Sequence, residues 1–237
     1  MNKKIENSLN LLLDTAKTLG AECTTVIANE NTSVNVAARL GKLENVERNE
    51  SSSIGLEIID HKRKVSLSST NLNEDSLKEL ANNAMNMVKS IPVDEYCGLA
   101  DKEMLYNGNL DLNLVDNYVP ENNNLLDNSI EAEESALNIN GITNSEGASS
   151  SYSKNKFYLA TSEGFFNTSD KTNYSTGISV IAGQGTKMER DYEYQSKVHH
   201  SDLDTPIQIG EKAAERAISR LNPKKVKSNS VPVIFDP

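Results

Sequence analysis

Hydrophobic residues recur along the 237-residue chain with two periods, and the switches between them mark out the elements. Ile5, Leu9, Leu12, Leu13, Ala16 and Leu19 fall at helical spacing, and Gly20 follows as a C-cap. Period-two runs then take over at 23–28, 33–40, 43–48, 53–59 and 64–68, with Asp60 to Arg63 as a hairpin turn between the last two. Asn73 caps a second helix with Glu74 and Asp75 in its first turn, and Pro92 closes it. Its stripe is Leu77, Leu80, Ala81, Ala84, Met85 and Val88. Residues 94–119 lack a clear period and read as a long connection with apolar anchors at Leu99, Leu110, Leu112 and Leu114.

A third helix is predicted over 120–137, with Leu125, Leu126, Ile130 and Leu137 inward. Three strands follow as a meander, alternating polar and apolar residues through 174–181 and 188–194, as a sheet with one wet face requires. Thr205 before Pro206 starts a fourth helix. Its narrow stripe of Gly210, Ala213, Ala214, Ala217, Ile218 and Leu221 predicts close approach to a sheet or another helix. "SVPVIFDP", from Ser230 to Pro237, reads as a strand made for burial. The order implies an α+β fold: a mixed, largely antiparallel sheet or sheets with helices packed on one face. Two subdomains are expected, 1–100 and 120–237, joined by a connection over 101–119.

Composition narrows the function classes. The net charge of -10 leaves no basic face for phosphates, which excludes a nucleic-acid footprint. Lys224, Lys225 and Lys227 form the one basic cluster, and they follow a helix C-terminus, where cations suit the dipole. Asn is abundant, which reads as a codon bias rather than as chemistry. Neither a signal peptide nor a membrane span is recognisable, and Cys23 and Cys97 form neither a disulfide framework nor a metal cluster. The expected compartment is a reducing cytoplasm.

The chemistry is as informative for what it lacks. The three histidines, His61, His199 and His200, fall in no HExxH or HExxxH pattern. Adjacent residues of a strand point to opposite faces, so His199 and His200 would not share an ion there. His61 reads as a solvated turn residue. No G-x-S-x-G elbow occurs, and Gly183-Gln184-Gly185 reads as a hairpin turn. Glu133/Glu134 and Glu189/Asp191 read as solvated faces. The residues therefore designate no catalytic, metal or cofactor-binding group, and no substrate-binding residue is assigned.

A family resemblance is carried by Met188-Glu-Arg-Asp-Tyr-Glu-Tyr194, Ser201-Asp-Leu203 with Thr205-Pro206, Gly210 with the helix after it, and Pro232-Val-Ile-Phe235. Upstream, "ITNSEGAS" from Ile142, "TSEGF" from Thr161, "GLAD" from Gly98 and "RLGKLENVERNESSSIGLEI" fit the same pattern. From about residue 35 onward the chain resembles the PmbA (TldE) branch of the TldD/PmbA family, also described as modulators of DNA gyrase. The resemblance covers only the N-terminal half of such a protein. It implies a metalloprotease system acting on unfolded peptides in an internal chamber. In such a system TldD-like subunits carry an HExxxH zinc motif, and PmbA-like subunits lack it and pair with them. Zinc is then expected only in a TldD-like partner, and this chain is expected to be non-catalytic, supplying chamber wall and partner binding. The partners implied are a TldD-like subunit and a peptide or unfolded protein, with a homodimer as another assembly and with neither nucleic acid nor membrane. The meander over 142–195 is the candidate peptide surface. The alternative is a stand-alone interaction protein that modulates a target such as DNA gyrase without proteolysis. Under the family reading the 230–237 strand leads into a C-terminal half. In this chain alone it would either pair back onto the meander or stand as an exposed edge.

Overall fold

The computed structural model describes residues 3–106, 108 and 111–235. Among the described residues four α-helices, α1 (Lys3–Thr18), α2 (Glu74–Val88), α3 (Asn122–Leu137) and α4 (Pro206–Ser219), pack on one six-stranded sheet. The strands are β1 (Cys23–Arg39), β2 (Lys42–Asp60), β3 (Arg63–Ser69), β4 (Ile142–Thr161), β5 (Phe166–Ala182) and β6 (Glu189–Lys197). They lie in the order β3-β2-β1-β4-β5-β6, and every pairing is antiparallel. This is the α+β architecture expected.

Strand periodicity puts all four helices on one face. Val26 and Ala28 of β1 are buried in the cluster that α1 and α2 complete, and Val36 and Ala38, two-residue steps further along, are buried where α3 crosses. A second cluster joins Ala132 and Ala136 of α3 to Ala213, Ala214 and Ala217 of α4 over Ala148, Ile178 and Val180. Between the helix pairs, Asn29 to Thr32 are only partly buried. That gap corrects the sequence reading: 23–28 and 33–40 are one strand, as are 43–48 and 53–59, because pairing continues where burial lapses.

Two hairpins turn through non-glycine residues with left-handed backbones, Leu40 (φ 51°) before Gly41 and the pair His61 (48°) and Lys62 (60°). A carboxylate steadies each. Glu22 accepts from the His61 N–H at 3.0 Å, and Glu133 accepts from the Gly41 N–H at 2.9 Å. Glu133 is fully buried, which corrects the solvated-face reading. The buried face of α3 is accordingly Leu125, Ser129, Ala132, Glu133 and Ala136, while Leu126, Ile130 and Leu137 are only partly buried.

The small stripe of α4 does serve close approach. A Cβ on Gly210 would fall 2.1 Å from Ser135 Oγ and 2.2 Å from the Ala132 carbonyl oxygen of α3. Residues 223–235 form neither helix nor strand, and Val231, Val233, Ile234 and Phe235 are exposed. The segment does not pair back onto the meander, because β6 remains the last strand of the sheet on that side. Leu110 lies outside the described residues.

Candidate functional site

The sheet face turned away from the helices has an unusual composition. Its positions at 29–35 in β1, 149–155 in β4 and 173–179 in β5 are Ser, Asn or Gly throughout, in a chain that is 24% charged. Wet surfaces normally carry long Lys and Glu side chains. Here short side chains bond one another: Ser151 to Ser175 at 2.8 Å, and Ser196 to Asn173 at 2.7 Å. The space above the sheet is therefore kept clear and electrically neutral.

Larger groups stand at both ends of this floor. Tyr192 and Tyr194 of β6 are 58% and 62% exposed. Gly177 lets Tyr194 settle against β5, since a Cβ there would lie 2.8 Å from the Tyr194 Cβ. A hollow of about 320 Å³ beside the tyrosines is rimmed by Glu44, Glu146 and Gly147. Ser179 donates to Glu146 at 2.8 Å and, with Arg190 at 3.1 Å, holds its carboxyl below the ordinary range. At the far end Phe157 and Leu159 project from the same face, beside a second hollow of about 320 Å³ that Leu112 and Phe165 help to line.

The β6 edge is open to additional pairing on either side of Tyr192, whose own N–H donates to Asp191 at 2.8 Å. The Tyr192 carbonyl points outward and accepts from Arg216 Nη1 at 3.3 Å. By the two-residue alternation of a strand, the backbone groups of Arg190 and Tyr194 point outward as well. On the helix side Arg220 binds Asp191, and Arg216 Nη1 lies 2.7 Å from Glu193 Oε2 as an ion pair without hydrogen-bond geometry. Burial pushes Asp191 up, but the Tyr192 N–H and Arg220 outweigh it and leave the carboxyl below its usual range. Asp191 thus belongs to the α4 contact and not to a solvated face.

Where β6 ends, the connection takes over the side of β5. The Thr172 N–H donates to the Leu114 carbonyl at 3.0 Å, and the Asp116 N–H donates to Thr172 Oγ1 at 2.9 Å. His199 Nε2 lies 2.7 Å from the Asn113 carbonyl, and the His200 N–H donates to Asp116 at 2.8 Å. The His200 ring sits 4.6 Å from that of Tyr118 and 5.5 Å from that of Tyr174, whose hydroxyl donates to the Tyr118 carbonyl. N–H groups of Tyr118 and His200 hold the Asp116 carboxyl low, while burial, then Asp116, pushes Tyr174 up to about 12. The two histidines lie just past β6, not on a strand, and both grip residues 111–119. Sequence reasoning missed this, because their contacts are 84 and 86 residues away.

The other candidates have plain local roles. Gly183 and Gly185 carry positive φ in the β5–β6 turn, as expected. Cys23 and Cys97 are free thiols, and burial, then Glu163, raises the Cys23 thiol above its ordinary value. Among the described residues Glu22, Asp60 and His61 bring three donor groups within 4.8 Å. They do not fit a hydrolytic metal: all stand at the rim of the β2–β3 turn, Glu22 Oε2 is taken by the His61 N–H, and His61 Nδ1 rests 3.1 Å from Asp60. No described helix is long and apolar enough to cross a membrane.

Two family models match the chain, the PmbA/TldA metallopeptidase domain 1 over residues 25–88 and the central domain over 121–221. The metalloprotease PmbA of Escherichia coli O157:H7 is 33% identical over 236 residues, covering 98% of this chain and 52% of that protein. A PmbA homologue of Haemophilus influenzae is 30% identical over 235 residues, with 98% and 52% covered. The chain thus spans about half the length of the curated relatives it matches. A crystal structure from Bacteroides thetaiotaomicron, provisionally assigned as a modulator of DNA gyrase, superposes with a TM-score of 0.84 at 24% identity, covering 94% of this chain and 51% of that one. TldE from Thermococcus kodakarensis gives 0.70 at 12% identity, with 90% and 47% covered.

Proposed function

This chain belongs to the PmbA/TldD metallopeptidase family, with the domains of a PmbA-like N-terminal half, and on that footing we propose that it is a non-catalytic wall of a peptide-processing chamber. In this reading the metal and the hydrolytic step belong to a TldD-like partner. This chain holds extended, unfolded polypeptide against the open face of its sheet and helps to bind the partner. No catalytic step is assigned to any residue here.

The observation that carries the reading is the neutral floor of Ser, Asn and Gly that ends at Tyr192 and Tyr194 on the edge strand. Small side chains leave room for a polypeptide, and hydroxyls and amides bond peptide groups whatever the side chains are. The edge groups of Arg190 and Tyr194 can continue the sheet into a bound strand, a mode that needs backbone geometry more than reactive side chains. Rigid, amphipathic tyrosines supply contact area at low entropic cost. The test is the affinity of the protein for an unstructured peptide, with Tyr192→Ala and Tyr194→Ala as variants. Each should weaken binding about 5- to 30-fold, from about 1–2 kcal/mol per aromatic anchor. Affinity unchanged in the double variant would overturn the reading.

A further inference from the structure

The edge of β5 beyond the end of β6 is a strand position that is already half occupied. The last pair of the β5–β6 ladder is Tyr174 with Lys197. The next outward-facing residue of β5, Thr172, receives its partner from Leu114 instead. Residues 111–119 therefore stand in line with β6, where a longer strand would continue.

They stand there loosely. Thr172 gives the one backbone bond between this segment and β5 among the described residues. Nearer the β4–β5 turn the segment swings away, leaving a polar hollow of about 340 Å³ between residues 111–115 and Thr168, Ser169 and Asp170. Leu112, Val115, Tyr118 and Val119 are all exposed, so little apolar burial secures the segment. What secures it is side chains: Thr172 Oγ1 and the Tyr174 hydroxyl of β5 on the Asp116 N–H and the Tyr118 carbonyl, and a clamp from the β6–α4 junction, with His199 on the Asn113 carbonyl, the His200 N–H on Asp116, and the His200 ring against Tyr118. Thr172 ties that junction to the same point, donating from Oγ1 to the Val198 carbonyl at 2.9 Å.

A segment that borrows one ladder bond and otherwise hangs on side chains is cheap to displace, and its departure frees a sheet edge. We propose that residues 111–119 are a displaceable strap that fills the strand position beside Thr168 to Thr172, that His199 and His200 are its clamp, and that an extended peptide takes this position when the strap leaves. The ligand half of this inference rests on the peptide-binding reading above. The strap is an internal stand-in for that ligand, since Leu114 already makes the bond to Thr172 that an incoming strand would make.

The test has two arms on the intact chain. In the first, amide exchange of Thr172 is compared between the unliganded protein and His200→Ala. Exchange there should quicken about 10-fold or more, while the β1–β4 ladder around Tyr152 and Ser153 keeps its protection. Exchange that is unchanged, or that quickens across the whole sheet, overturns the strap. In the second, Leu114→Cys with Thr172→Cys allows the strap to be locked by oxidation, and a labelled unstructured peptide is titrated before and after reduction. Binding should be at least about 5-fold weaker when locked. Equal binding in both states overturns the slot while leaving the peptide reading intact. A peptide bound in neither state overturns that reading and the slot with it, and the first arm still decides the strap.

Discussion

The contact between α3 and α4 gives a prediction whose size follows from geometry. A Cβ at Gly210 would lie 2.2 Å from the Ala132 carbonyl oxygen and 2.1 Å from Ser135 Oγ, whereas ordinary contact begins near 3.4 Å. Gly210→Ala must push the helices about 1 Å apart, and one of the obstacles is backbone that no rotamer change can move. Overpacking costs about 1–3 kcal/mol, and a backbone obstacle places this case at the upper end. Alanine returns about 1 kcal/mol of helix propensity, so the net loss is about 2 kcal/mol. For a chain of this size that lowers the melting temperature by about 4–8 °C in a circular-dichroism melt. Adding Ser135→Gly removes the hydroxyl but not the Ala132 carbonyl, so it should restore only part of the loss. A Gly210→Ala protein as stable as the parent, or more stable, would refute the close approach and leave propensity as the governing effect.

Three further outcomes follow from the charged and aromatic contacts. Asp116, Glu146, Asp191 and Asp204 all titrate below their ordinary range when folded. Their contribution is complete above the unfolded carboxyl values of about 4 and is lost as pH falls through the folded ones, so urea midpoints should drop below about pH 4. A flat midpoint down to pH 3 would contradict this. Tyr174, raised to about 12, contributes stability that is complete below the unfolded value of about 10 and lost as pH rises through the folded one. A late tyrosinate step should appear in an alkaline absorbance titration and shrink in Tyr174→Phe, with the remainder belonging to Tyr152, which burial, then Asp116, also pushes up. Arg216→Ala strips the ion partner from Glu193, whose side chain is only 12% exposed, but Arg216 itself is largely solvated. The expected loss, read from urea midpoints at constant m-value, is therefore about 1 kcal/mol, and no loss would show the pair to be idle.

Legibility in the sequence tracked how local each constraint was. The α2 stripe was readable because Leu77, Ala81, Ala84, Met85 and Val88 are buried by their own spacing. The α+β class and the close-packed face of α4 followed from periodicity alone. The α3 face was misread because two polar residues turn inward for distant partners: Ser129 Oγ donates to the Val36 carbonyl and Glu133 accepts from Gly41. Strands β1 and β2 were cut in two where the gap between helix pairs removes the need for apolar residues. The open face was visible as polar alternation, but its neutrality emerges only when the register sets Ser151 beside Ser175 and Gly177 beside Tyr194. The strap left no local sign, since its hold depends on histidines far along the chain.

In the proposed function the open face of β4, β5 and β6 receives extended polypeptide as part of a metallopeptidase assembly. Hydrogen exchange of the protein, alone and then with a metal-bearing family partner and an unfolded peptide, tests it most directly. Exchange within residues 142–197 should slow on assembly, most along the outward-facing amides of Arg190 and Tyr194. Unchanged exchange across 142–197, with partner and peptide both bound elsewhere, would contradict it.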